Sequence, residues 1–484
     1  MRSSAVVLFG IAAGTAAVVA PVALLTHDGG GTARSREILF TVWGMPFEDR
    51  LFEDGYARGF EAEEPGVRVE YRRFPDVTAK YTAWHARGIG AEVMRVQVTD
   101  YHQMVERGML EPLDAYIDDP ADGMSEAAIA AIPPEMLDAL RVGGSLYALP
   151  QDMAQIGLYY NRAIFDAWNA ANPGDPVEYP REGWTWDDLR DTARKLARRD
   201  GGRVEVYGFD MFIWQWPFMN FFAQAGGTLW SDDGLTTLID SPAGVEAIAL
   251  FRGMVFEDGS FMPAFGEQQA TGPHSRFAEG RTAMFLDGSW MAPSFQLRNP
   301  SLDFAVAPVP RGRVEAVCAG ACLWGISVHA KHKRDAWRMI RWLVDEPQAL
   351  RYWDTLRVAP PANLAVVNSD AFRRTSGIAS DREPGRYLVP PMREDEFARY
   401  AEWLRYGMTP RGESGDAPAF IPVSLYQRAL ENEITALLHD ILRHPTQPSA
   451  EDALARAAKS VHDVIDRDRA AKGLPRVDRG SKAD

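Results

Sequence analysis

Gly144–Asp166 reads GSLYALPQDMAQIGLYYNRAIFD, two β-rich runs laid end to end with no helix between them. Leu146 and Ala148, then Ile156, Leu158 and Tyr160, set apolar side chains at strand spacing, and Pro150, Gln151 and Asp152 interrupt the pattern between them. A chain that leaves one run of strand and enters another in this way is crossing from one lobe to a second. Upstream, residues 38 to 110 alternate strand and helix: ILFTVW, an amphipathic Leu51 to Phe60, VRVEY, a helix through Tyr81 and Trp84, EVMRVQV, and a helix ending at Gly108. That order is β-α-β-α-β, the start of a doubly wound sheet. Ligands of such sheets bind beyond the carboxyl ends of the strands, which selects the loops Trp43 to Glu48 and Val98 to Tyr101.

Downstream of Gln151 the second lobe is expected to hold a helix from Trp186 capped by Thr185, and the aromatic run FDMFIWQWPFMNFFAQAGG, in which Pro217 predicts a loop. A turn at Ser231–Gly234 and a helix begun by Ser241-Pro242 follow. Leu302 to Pro310 reads as a strand with a proline stop, and the Cys318–Cys322 tract leads into LWGISV as a second crossing. The helix Asp335–Glu346 packs on the first lobe through Trp337, Ile340 and Val344. A third crossing near Pro360-Pro361 returns the chain for two last helices, Leu425–Arg443 and Ser449–Asp466, and the polar stretch from Lys472 reads as frayed. The expected class is α/β, with two lobes, each a mostly parallel sheet flanked by helices, joined by hinge crossings. The expected division is 1–36 as anchor and tether, 37–151 plus 322–362 as the first lobe, 152–321 plus 363–470 as the second, and 471–484 as a disordered tail.

Length and composition agree with this reading. A chain of 484 residues exceeds one ordinary core, and 46% hydrophobic with 25% charged residues is usual for a soluble globular protein. The net charge of −15 repels polyanions and leaves no basic surface to follow a phosphate backbone, so no nucleic-acid partner is expected. Fourteen tryptophans cluster around 184–230 and 324–353. Most should fill two large cores, and a minority should line a cleft between them.

Ala5–Leu25 carries no charged side chain and is long for a signal segment, with no A-x-A site after it and no cysteine nearby to take a lipid. Export with an uncleaved membrane anchor is therefore expected, and His27–Arg36 reads as a flexible tether. Cys318 and Cys322 are the two cysteines; a C-x3-C loop must curl to bring them within bridging distance, and buried free thiols are at least an equal reading. Two thiols without a histidine at ligand spacing do not make a zinc site, and neither metal nor cofactor is expected. The pairs His329/His332 and His439/His444 read as solvated helix-end or loop residues.

Six motifs stand in order: TVWG with Phe60-Glu61 and Pro65-Gly66-Val67; RGMLEPLDAYI; YALPQD with LYYNRAIFDA; WTWDDL; FAEGRTAMFLDGSW; and CLWGISVHAKHKRDAWRMIRWLVDE with PPA after it. In this arrangement the chain after Glu37 resembles the extracellular solute-binding proteins of bacterial ABC importers, in their large sugar-binding class. Glu92 departs from the pattern, where such proteins commonly carry Asp, and Ser369–Thr409 matches nothing specific. The resemblance implies a periplasmic or membrane-outer-face monomer that closes two lobes over a solute and docks on a permease.

A sugar offers a flat C–H face and a rim of hydroxyls, so its binder needs aromatic plates beside carboxylates and amides. Trp214, Trp216 and Trp290 are candidate plates, one of the first two being core; Glu48, Asp100 and Asp152 are candidate acceptors. Gln151 and Asp152 lie at the first crossing, facing the cleft floor. In Gly288-Ser289-Trp290 a small residue would let the backbone approach a ligand while the ring stacks on it. The alternatives are structural: packing for Trp43, Tyr81 and Tyr426, helix capping for Glu48 and Asp100, a plain turn for Gly320, and a surface ion pair for Arg357. Two other functions share these residues: a glycosidase or lyase working with two of the carboxylates, and a sensor module presenting the closed form to a receptor. The motifs G-x-S-x-G, H-E-x-x-H and the P-loop are missing.

Overall fold

The protein is described by a computed structural model that covers residues 36–479 apart from 45, 202, 266, 375–377, 380–386, 390–393, 408–418, 421 and 446–447. The expected anchor Ala5–Leu25 and most of its tether lie outside the described residues. No helix among the described residues is long and apolar enough to cross a membrane.

Strands of the two principal sheets are β1 (Arg36–Val42), β2 (Val67–Arg73), β3 (Val93–Gln97), β4 (Ala148–Pro150), β5 (Ala154–Asn161), β6 (Arg198–Asp200), β7 (Arg203–Met211), β8 (Thr282–Gly288), β9 (Phe304–Ala307), β10 (Val317–Gly320), β11 (Cys322–Gly325) and β12 (Ala419–Phe420). The first lobe is the sheet β2-β1-β3-β11-β4, and the second is β12-β10-β5-β8-β7-β6 with β9 also paired to β5. β1 runs parallel to both β2 and β3, as the β-α-β-α-β order requires. Helices packed on the sheets include α1 (Val77–His85), α2 (Val98–Glu106), α3 (Trp186–Leu196), α4 (Gln215–Gln224), α5 (Lys333–Val344), α6 (Glu346–Leu356), α7 (Gln427–Ile441) and α8 (Ala450–Ala471).

Both quoted runs of the opening stretch are strands of different sheets: β4 belongs to the first lobe and β5 to the second, with Gln151–Met153 between them. The CAGAC tract repeats the device, β10 lying in the second sheet and β11 in the first with Ala321 between. A third segment joins them, since Met153 N–H donates to Pro360 O at 3.0 Å, Ala362 N–H to Gln151 O at 3.0 Å and Gln151 N–H to Cys322 O at 2.8 Å. Each lobe has its own interior. One core gathers Ile38, Phe40, Val96, Trp324, Trp337 and Ile340, a second Leu158, Phe209, Phe221, Leu286, Leu430 and Ile465, and a third covers the other face of the second sheet with Tyr159, Phe285, Trp353 and Tyr400.

Several local expectations change. The aromatic run is not a loop at Pro217 but the first turn of α4, where the missing N–H of proline costs no intrahelical bond. The segment after Lys472 is held down rather than frayed as far as Arg479: that side chain pairs with Asp466 at 3.1 Å, Arg469 donates to Pro475 O at 2.8 Å, and Val477 packs on the second-lobe core. His329 is not a solvated loop residue, because its ring lies 3.2 Å from His85 Nδ1 in a half-buried pair. Cys318 and Cys322 are free, one on each side of the second crossing, and burial pushes both thiols up. Glu92, the departure from the motif, straps the first lobe together, its two oxygens accepting from Leu39 N–H at 2.9 Å and Lys331 N–H at 3.0 Å.

Candidate functional site

Where the lobes meet, three indoles form one cluster. Trp214 and Trp216 stack with centroids 5.7 Å apart and planes 10° from parallel, and Trp290 stands edge-on to both at 6.1 and 5.7 Å. Trp214 and Trp216 open α4, while Trp290 follows β8 at the carboxyl edge of its sheet. Trp290 touches the core of the first lobe as well as both cores of the second, so it sits on the seam. Gly288, expected to let the backbone approach a ligand, and Gly320, expected to offer backbone amides or a plain turn at the second crossing, both make room for these rings. A Cβ at Gly320 would lie 2.1 Å from Trp216, and one at Gly288 2.1 Å from Trp290.

Across the crossing, the first-lobe candidates converge on an arginine that the sequence reading had not singled out. Arg95, on β3 and buried, donates from Nε to Gln151 Oε1 at 3.0 Å and from Nη1 to Trp43 O at 2.7 Å. It pairs with Glu48 at 3.5 Å and Asp152 at 3.7 Å, and its guanidinium lies 4.9 Å from the Trp43 ring centroid. Asp152 also accepts from Tyr352 Oη at 2.7 Å and Cys322 N–H at 3.0 Å; burial raises its carboxyl against the pull of Arg95. Trp43, Glu48, Gln151 and Asp152 thus form one buried polar floor around a single cation. A charged residue inside the apolar strand pattern EVMRVQV was the available signal, since arginine is seldom fully buried without partners. The buried donors Trp43 Nε1, Gln151 Nε2 and Trp214 Nε1 have no acceptor among the described residues.

Other candidates serve the framework. The Tyr81 side chain is in the first-lobe core, its hydroxyl 2.8 Å from Thr41 Oγ1. Ser289 is fully buried and donates to Val358 O at 2.7 Å, and Tyr400 Oη lies 3.0 and 3.1 Å from the carbonyls of Ser289 and Arg357, so these two residues fasten the third crossing to the end of β8. Arg357 itself is not on the surface: it ends α6 at φ 51° with its guanidinium over Phe397. Tyr426 donates to Asp468 at 2.7 Å. Asp100 accepts from Thr78 Oγ1 at 2.7 Å and from Arg428 of α7, on the other lobe, at 2.9 Å.

Arg428 also pairs with Glu431, 3.3 Å away, which faces Gln427, Asp100 and Cys318 as well. Desolvation lifts the Glu431 carboxyl to about 7 from an ordinary 4.5, with Arg428 opposing. The folded state therefore holds a proton that the unfolded chain releases near 4.5, so this group favours folding fully below that pH and the gain is lost as pH rises through 7. Glu431→Gln is expected to match the wild type in thermal stability at about pH 4 and to exceed it at pH 8, by about 3 kcal/mol at most. An equal difference at both pH values would remove the burial argument.

Two lobes joined by three crossings, with an indole cluster and a polar floor where they meet, define a molecule built to hold a solute between halves rather than to present a surface. The comparisons agree. Residues 45–350 match the family model of the bacterial extracellular solute-binding proteins, and the chain belongs to that family. It is 25% identical over 327 residues to a binding protein of Brucella abortus, covering 64% of this chain and 73% of that one. It is 24% identical over 318 residues to the maltotriose-binding protein of Pyrococcus abyssi, covering 63% of this chain and 62% of the relative. Among solved structures, an ABC substrate-binding protein from Listeria monocytogenes in complex with cycloalternan superposes with a TM-score of 0.70 at 21% identity, covering 91% of this chain and all of the other. That likeness establishes the two-lobed fold.

Proposed function

We propose that this chain is the extracytoplasmic binding component of an ABC importer that captures a mono- or oligosaccharide between its lobes and hands it to a membrane permease. The carrying observation is the cluster of Trp214, Trp216 and Trp290 on the seam between the lobes, together with the buried donors Trp43 Nε1, Gln151 Nε2 and Trp214 Nε1, which lack acceptors among the described residues. Indoles match the C–H face of a sugar, and unpaired donors match its hydroxyl oxygens. The sugars named for the Pyrococcus and Listeria proteins support the same ligand class. The proposed contacts are Trp43, Gln151, Trp214, Trp216 and Trp290, with Glu48 and Asp152 holding Arg95 beneath them. The lobes are taken as 37–151 plus 322–362 and 152–321 plus 363–470, in a monomer kept at the membrane by its N-terminal segment. Binding serves closure: a solute touching both halves shifts the open-closed equilibrium by its differential affinity.

A thermal-shift screen against saccharides, polyols and amino acids tests this. A saccharide is expected to raise the melting temperature, by the equivalent of about 2.7 kcal/mol at 100 times its Kd. Stabilisation by amino acids alone would overturn the ligand class. Chromatography of the bound oligosaccharide is expected to return it intact, and cleavage would favour an enzyme.

A further inference from the structure

We propose that Arg428 is a positioning residue that sets affinity without touching the solute, by latching the two lobes together beside the second crossing, where Gln97 pairs with Cys322 and Val98 N–H donates to Ala321 O. This rests on the hinged-binding reading above, and its test needs no ligand. Arg428 stands on the first turn of α7 in the second lobe and reaches the amino end of α2 in the first. Its Nε lies 3.0 Å and its Nη2 2.9 Å from Asp100 Oδ1; Nη2 is also 2.9 Å from Thr99 Oγ1 and 3.3 Å from Gln97 Oε1. Both ends are held in advance, Asp100 by the Thr78 hydroxyl and Arg428 by Glu431.

A second tie runs parallel to it. Tyr426 donates to Asp468, Asp468 pairs with Lys472 at 3.1 Å, and Lys472 reaches Glu106 at the other end of α2 at 2.7 Å. Two cations of the second lobe thus grip two carboxylates spaced along one helix of the first. Asp100 and Tyr426, which the sequence nominates for the solute, are occupied in this work. Asp100 is buried, but Arg428, Lys472 and Glu106 are partly exposed, so dissolved salt reaches the cation of the first tie and both groups of the second, whereas a neutral sugar in the cleft has no charge for salt to act on.

The test is a distance between spin labels on Arg107→Cys and Asn432→Cys in the full chain without solute, at 20 and 500 mM NaCl. With the latch intact the distance is expected to be short at low salt and to lengthen at high salt. Arg428→Gln and Asp100→Asn are each expected to give the long distance at both salt levels, and the double variant no more than either. For a neutral sugar, Arg428→Gln should weaken binding ~5- to 10-fold, mostly through faster release, as the closed fraction falls. A distance in the parent that ignores salt, or an Arg428→Gln protein with native circular dichroism and the parent's short distance, would overturn the latch. A failed sugar screen alongside salt-dependent opening would instead leave the latch standing and count against the ligand.

Discussion

Arg95→Met is expected to cost about 3–5 kcal/mol in urea unfolding followed by tryptophan fluorescence. The arginine sits between the buried carboxylates of Glu48 and Asp152, and methionine fills its volume but leaves both acids without the cation. Desolvating a charge is tolerable only when it is paired, so the penalty comes less from the lost contacts than from what is stranded. Adding Glu48→Gln to Arg95→Met should recover part of the loss, because one of the two buried charges that faced the cation disappears. A single variant that loses under about 1 kcal/mol would mean that the floor is not an electrostatic unit.

Trp290→Ala carries the second large effect, and it has two readouts. Its indole fills the space over Gly288 and meets all three cores, so truncation should lower stability by about 3 kcal/mol, the low end for tryptophan because the ring is only partly buried. A saccharide that stabilises the wild type should bind at least ~30-fold more weakly, the loss expected when about 2 kcal/mol of central aromatic contact is removed. Titration calorimetry on the variant separates the two. Lower stability with unchanged affinity would make the ring a wedge between cores and no more.

The path of the chain was legible because it follows from local rules: proline and polar residues between two strand-spaced runs, a Thr185 cap that closes a capping box with Asp188, and a stripe of Trp337, Ile340 and Val344 on α5. What local rules cannot supply is which side chains meet across 50 or 300 residues. Trp43, Glu48, Gln151 and Asp152 could be nominated one by one, yet their common partner Arg95 appears only when β3 lies beside β11 and the first crossing. The same limit explains Asp100: its place before a helix fits a cap or a cleft contact equally, and the arginine that takes it comes from 328 residues away. Gly288 reads in the sequence as space for a ligand and Gly320 as backbone amides or a plain turn; in the fold both face a tryptophan ring, which competes for such space as well as any sugar does.

The three segments that join the halves are stitched to one another by main-chain bonds, Gln151 to Cys322 and to Ala362, and Met153 to Pro360. A ribbon fixed in register resists sliding while it can still bend and twist, so the halves should pivot about it like a book on its spine. How far the covers part would then be governed by the thickness of whatever lies between the pages, and a longer guest would be registered as a wider angle with the margins near the spine almost unmoved.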